Sequence, residues 1–197
     1  MMTDGFRIEL LEHGWIVPSE GDYDLCSHGH LRLTVGGVVV VGADESVGIS
    51  ESALAMLRTL EADHTTQTPV ADRMIFHGCG AILMMGCPIG ADFTVRHHAG
   101  VVSIGDVVRY DTTKVVGGVR FPGLDVQIGA AAYRSEVLAF ALKARDLFRG
   151  AVKRFDDDFD AEQYRAFWIE YDQILSARGV RPIPPLESMS GLGDRLA

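Results

Sequence analysis

The 197-residue chain is poor in the residues that mark several common protein classes. Cysteine is scarce and odd in number, with only Cys26, Cys79 and Cys87. That count argues against a disulfide framework and fits reduced thiols. Lysine is equally scarce: Lys114, Lys143 and Lys153. With 18 basic against 27 acidic side chains, the net charge is -9. Non-specific nucleic-acid affinity comes from neutralising phosphates with Lys and Arg, so no nucleic-acid partner is expected. Long apolar runs are missing too. The longest β-branched one is Val38 to Val41, far short of the roughly 20 residues that span a bilayer. The opening Met1-Met2-Thr3-Asp4 has no basic stretch followed by an apolar one, so no secretory signal is expected. A soluble, cytoplasmic protein without a membrane partner is the expectation. There is no phosphate-cradling Gly-rich loop with its Lys, no dinucleotide fingerprint and no Gly-x-Ser-x-Gly. Purine-nucleotide enzymes of the common kinds are therefore disfavoured.

What is present suits one globular core. Hydrophobic residues make up 47% and charged residues 23%, which excludes disorder over most of the chain. The expected organisation is a single domain over 1–178 and an extended, Pro-rich tail over 179–197. Residues 1–98 carry a net charge of -8 and residues 99–197 a net of -1. All seven histidines and all three cysteines lie in the first half, and all three lysines in the second.

Period-two alternation marks strands. Phe6 to Leu11 reads as the first and Trp15 to Val17 as a second. Cys26 to Val35 follows, with Leu31, Leu33 and Val35 on one face and Cys26, His28, His30, Arg32 and Thr34 on the other. Gly36-Gly37 is a hairpin turn leading into Val38 to Val41, apolar on both faces and so expected to be central. A helix is predicted over Ser50 to Glu61, capped by Ser50. Further strands are predicted near 73–77, 81–86, 92–98, 101–110, 114–120 and 124–128. Their short spacing leaves no room for crossover helices, so an antiparallel meander follows. Two helices close the chain. The first spans Tyr133 to Arg149. The second is capped by Asp160 and carries a stripe of Tyr164, Phe167, Trp168, Tyr171 and Leu175, which fits packing on the sheet. The fold class is α+β: an antiparallel, curled sheet with one helix after the first strands and two C-terminal helices.

Three constellations carry possible chemistry. Cys26-x-His28-x-His30 places thiolate and imidazole together, the ligand pair that suits zinc, if the chain bends. In His77-Gly78-Cys79-Gly80, the glycines permit a tight turn that presents a nucleophilic thiol beside a histidine base. In Asp92-x-Thr94-x-Arg96-x-His98, alternation puts all four on one strand face, where Asp92 and Arg96 tune His98. The loop Glu20-x-Asp22-x-Asp24 lacks the glycine and terminal glutamate of a calcium loop and reads as solvated.

Two functions are compatible with this sequence. One is an acidic binding protein that captures a basic protein partner by steered association. The other is a small hydrolase-like enzyme using thiol, histidine or metal in the first half, with a lowered thiol pKa at Cys26 or Cys79. The missing catalytic motifs favour the first. A homodimer is the default assembly.

Overall fold

The computed structural model describes residues 5–67, 73–77, 89–110 and 118–181. Within them the chain forms strands β1 (Phe6–Gly14), β2 (His28–Val35), β3 (Val38–Val41) and β4 (Ser46–Gly48), then helix α1 (Ile49–Arg58). Strands β5 (Ile75–His77), β6 (Gly90–His98), β7 (Val101–Tyr110), β8 (Val119–Arg120) and β9 (Val126–Gly129) follow, and helices α2 (Ala130–Asp146) and α3 (Asp158–Ala177) complete it. All nine described strands join one sheet through antiparallel pairs, in the order β1-β2-β4-β5-β6-β7-β8, with β3 beside β2 and β9 beside β7. The expected α+β meander with three helices is therefore the observed fold. The predicted strand at 81–86, Cys79, Cys87 and the tail beyond 181 lie outside the described residues.

The alternation in β2 acts as read: Leu31, Leu33 and Val35 are buried and face Leu10, Ile8 and Phe6 of β1. A bulge between Leu10 and Glu12 shifts the register in β1. Opposite it, a Cβ on Gly29 would stand 1.9 Å from the Glu12 carbonyl oxygen. Only glycine permits so close a backbone approach. On the core side, Phe6 meets the rings of Phe93 from β6 and Tyr133 from α2 at 5.8 and 5.1 Å. The sheet and helices thereby share one apolar core.

Several local expectations are corrected. Trp15 to Val17 is not a strand. The Ile16 N–H goes to the Asp24 carboxylate at 2.9 Å, and Pro18–Glu20 forms one 3-10 turn. Strand β2 begins at His28, so Cys26 precedes it. Strand β3 is not central: among the described residues it pairs with β2 alone, and Val38 and Val39 are exposed. Gly48, not Ser50, is the N-cap of α1, because Ser50 lies inside the first turn with its hydroxyl committed to Ser27. Helix α3 is capped by Asp157, whose carboxylate accepts the Asp160 N–H at 2.9 Å, so Asp160 is inside the helix. The aromatic stripe of α3 is core, as read, but it meets helices: Tyr171 Oη donates to the Ala141 carbonyl of α2 at 2.8 Å, and Trp168 packs on Phe148. Arg58 of α1 holds Glu170 of α3 through two bonds of 2.6 and 2.7 Å.

Candidate functional site

Strand pairing aligns one row of residues across four strands. His13 of β1 opposes Gly29 of β2, which opposes Val47 of β4, which opposes His77 of β5. The neighbouring row runs Gly14, His28, Gly48 and Phe76. Directly opposed residues share a face, so His28 is flanked by glycines on both adjacent strands. On the Gly14 side nothing stands within 4 Å of where a Cβ would be. On the Gly48 side, Glu51 Oε2 would be 2.8 Å from an added Cβ. The first turn of α1 thus folds the Glu51 carboxylate over Gly48, beside His28.

Local bonds hold this arrangement. Ile49 N–H donates to the Ser27 carbonyl at 2.7 Å, and Ser50 Oγ accepts the Ser27 N–H at 2.9 Å. The Ser50 hydroxyl donates onward to Glu51 Oε2 at 3.2 Å, and Ser52 Oγ accepts the Phe76 N–H at 3.3 Å. The α1 N-terminus is in this way tied to β2 and β5. Asp24 accepts the N–H groups of Ile16 and Cys26 and lies 3.3 Å from His28 Nε2.

Of the ten polar or charged side chains buried among the described residues, five are here: Ser27, His28, Ser50, Glu51 and Ser52. Unpartnered atoms occur here too: Ser27 Oγ, His28 Nδ1 and His30 Nδ1 are buried without a hydrogen bond, as are His13 Nε2 and His77 Nδ1 in the neighbouring row, on the opposite face of the sheet. Folded proteins leave few such groups, because each costs about 1–3 kcal/mol.

The electrostatics separate the ionisable groups. Burial pushes the Glu51 carboxyl above its ordinary value, only partly offset by the Cys26 thiol and a backbone N–H. Burial also pushes the Cys26 thiol well up, and the Glu51 carboxylate adds to this. The expected lowering of the Cys26 pKa is therefore reversed, and Cys26 is a protonated thiol bonded to Glu51. Burial acts upward on Asp24 as well, but the bonds from His28, Ile16 and Cys26 outweigh it and hold the carboxyl low.

Burial lowers His13 from 6.5 to about 4, against the pull of Asp146 and with help from His28. The unfolded chain therefore binds the His13 proton more readily between those two values, and stability falls as pH drops through that window. Discounted for the partial exposure of His13, the loss from pH 7 to pH 5 is about 1 kcal/mol. Glu51 acts in the opposite sense, since its raised carboxyl favours the folded state as pH falls. Urea unfolding at the two pH values checks the signs: His13→Gln flattens the acid loss and Glu51→Gln steepens it.

The residues singled out from sequence are distributed as follows. Cys26 turns to Glu51, His28 to Asp24, and His30 to Glu12 at 3.9 Å. Among the described residues, no three His, Cys, Asp or Glu side chains form a group capable of holding a metal ion. His77 joins the row of His13, Gly29 and Val47, next to the row of His28 and on the opposite face of the sheet from it. Arg96 and His98 are exposed at the far end of β6, opposite Ser103 and Val101. The His77 N–H bonds Ile89, so His98 is nine residues further along, roughly 30 Å at strand spacing. Along β6, Asp92 and Thr94 are buried while Arg96 and His98 are exposed, and the bulge opposite Asp92 and Thr94 has its extra residue on β7.

Sequence reasoning missed two participants, Glu51 and the Asp24–His28 pair, and, apart from this cluster, a pair on β6 in which His64 Nε2 lies 2.7 Å from the buried Asp92 carboxylate. The Asp24-x-Cys26-x-His28 spacing was visible, but Asp24 reads as a solvated loop residue. His64 gives no signal, because a bridge to Val95 places it on β6.

Fold and row together define an α+β protein with a buried cluster of acid and base side chains at one end of an antiparallel sheet. The chain matches no family model, no curated protein and no solved structure.

Proposed function

We propose that the protein is an acid–base enzyme acting on a small polar substrate, with His28 as base and Glu51 as acid. The observation that carries this reading is the concentration of buried, incompletely bonded polar groups around His28. When Nε2–H of His28 is donated to Asp24, Nδ1 keeps its lone pair, and Nδ1 is the ring atom without a partner. It is available to take a proton from a substrate hydroxyl or a water. Glu51, raised by burial, is suited to return a proton to a leaving oxygen. Groups whose environments drive their proton affinities apart are how one site performs both steps. The high thiol pKa of Cys26 favours this over nucleophilic attack by that sulfur. The open side at Gly14 supplies the approach.

The test does not require a known substrate. A network kept for structure loses stability when one member is changed, whereas a functional cluster gives up stability for activity. Glu51→Gln keeps the shape and removes a buried carboxyl, so its Tm is expected to rise by about 2–4 °C, the equivalent of about 1 kcal/mol for a chain of this size. His28→Asn is expected to stay within about 1 kcal/mol of the parent. On a panel of chromogenic ester, phosphoester and glycoside substrates, any turnover should fall about 100-fold in either variant. Marked destabilisation by both substitutions, with no turnover by the parent, sinks the proposal.

A further inference from the structure

A different part of the surface combines exposed apolar side chains with uncompensated acid. Ile16 is 51% exposed, Val17 43%, Tyr23 46%, Val152 61% and Phe159 55%. The first three are on the loop between β1 and β2, and the others are on the segment joining α2 to α3 and on the first turn of α3. The two stretches are bonded together: Arg154 N–H donates to the Asp22 carbonyl at 2.7 Å, and Arg154 Nε meets the Asp22 carboxylate at 3.0 Å. The Arg154 guanidinium also lies 5.7 Å from the Tyr23 ring centroid. Phe159 is five residues beyond Arg154, within about 17 Å by chain length. These side chains therefore share one end of the molecule.

The loop is held in shape from beneath. Lys153 Nζ donates to the carbonyls of Gly21 and Asp24 and lies 3.4 Å from the centroid of Trp15. Asp24 fixes Ile16 through its N–H. An apolar surface held rigid loses little entropy when a partner covers it. Around it stand Glu20, Asp156, Asp157 and Asp158, while the nearby Asp22 and Arg154 neutralise each other. Exposed apolar clusters rimmed by polar residues mark interaction surfaces. The sign of the rim selects the occupant.

We propose that this face docks a cationic amphipathic segment of another protein. A second copy of the chain fits poorly, because a twofold contact would set these carboxylates against their own equivalents. The proposal is independent of the acid–base reading, as it uses neither His28 nor Glu51.

The test uses the full chain and a labelled Lys/Leu amphipathic helical peptide, followed by fluorescence anisotropy. Binding is expected at 20 mM salt and should weaken at least tenfold at 300 mM, as charge screening requires. A Glu/Leu peptide of the same pattern should not bind. Glu20→Gln/Asp156→Asn/Asp158→Asn should weaken binding and flatten its salt dependence. Val152→Ser/Phe159→Ser should weaken it about tenfold while keeping the salt dependence. Both surface variants are first checked for an unchanged Tm. Equal binding of the two peptides, unchanged binding by both variants, or self-association abolished by Val152→Ser/Phe159→Ser would overturn the proposal.

Discussion

Asp172→Ala is expected to lower stability by about 4 kcal/mol, since it strands a buried guanidinium. Arg145 of α2 is fully buried, with only 1% of its side chain exposed. Its Nε and Nη2 donate to the two Asp172 oxygens at 2.9 and 2.8 Å, and its guanidinium lies 4.4 Å from the Trp168 centroid. Nη1 has no partner. Asp172 is thus the counter-charge of a cation enclosed between α2 and α3, and truncating it leaves the charge without compensation. Thermal melting should fall by roughly 10 °C for a chain of this length. The joint replacement Arg145→Met/Asp172→Leu is the control, because it removes both charges and keeps apolar volume. It should lie within about 1–2 kcal/mol of the parent. A single variant no worse than the double one would mean that the guanidinium is hydrated.

Lys153→Met should cost about 2–4 kcal/mol, since two carbonyls lose their donor and a cation–π contact disappears. Burial draws the ammonium down to about 8, while Asp24 opposes this, so the group is still mostly protonated at neutral pH. Its bonds to the Gly21 and Asp24 carbonyls fasten the β1–β2 loop to the segment after α2. The loss should be local before it is global. Loop 15–24 should become open to protease cleavage, and Trp15 emission should shift to longer wavelength. Asp24 would also lose its anchor, so the Asp24–His28 pair should loosen together with the loop. Limited proteolysis of the native chain, compared with Tm, separates local release from global unfolding. Unchanged cleavage at 15–24 would show that Trp15 and Asp24 hold the loop unaided.

Local pattern made much of the fold legible. Alternation at Leu31, Leu33 and Val35 placed β2, Gly36-Gly37 placed its hairpin, and the spacing of Tyr164, Phe167, Trp168 and Tyr171 placed α3. Each signal is internal to one element, since a side chain's face follows from a period of two or 3.6. The misreadings arose where a distant partner competed with local preference. Ser50 was read as a cap, but its hydroxyl serves Ser27, twenty-three residues away. Val38 to Val41 read as central, yet the edge of β2 beside it is divided between β3 and β4.

From residue types and periods alone, the sequence determined an acidic α+β chain with an antiparallel sheet, three helices and reactive side chains gathered in its first half. Only the tertiary structure decided which of those side chains meet. Pairing of β2 with β4 and of β1 with β2 set His28 between Gly48 and Gly14, and the turn into α1 laid Glu51 beside Cys26. Registers between separate strands, and the burial that drives Cys26 and Glu51 away from ordinary proton affinities, are set by long-range packing. No short window of residues contains that information.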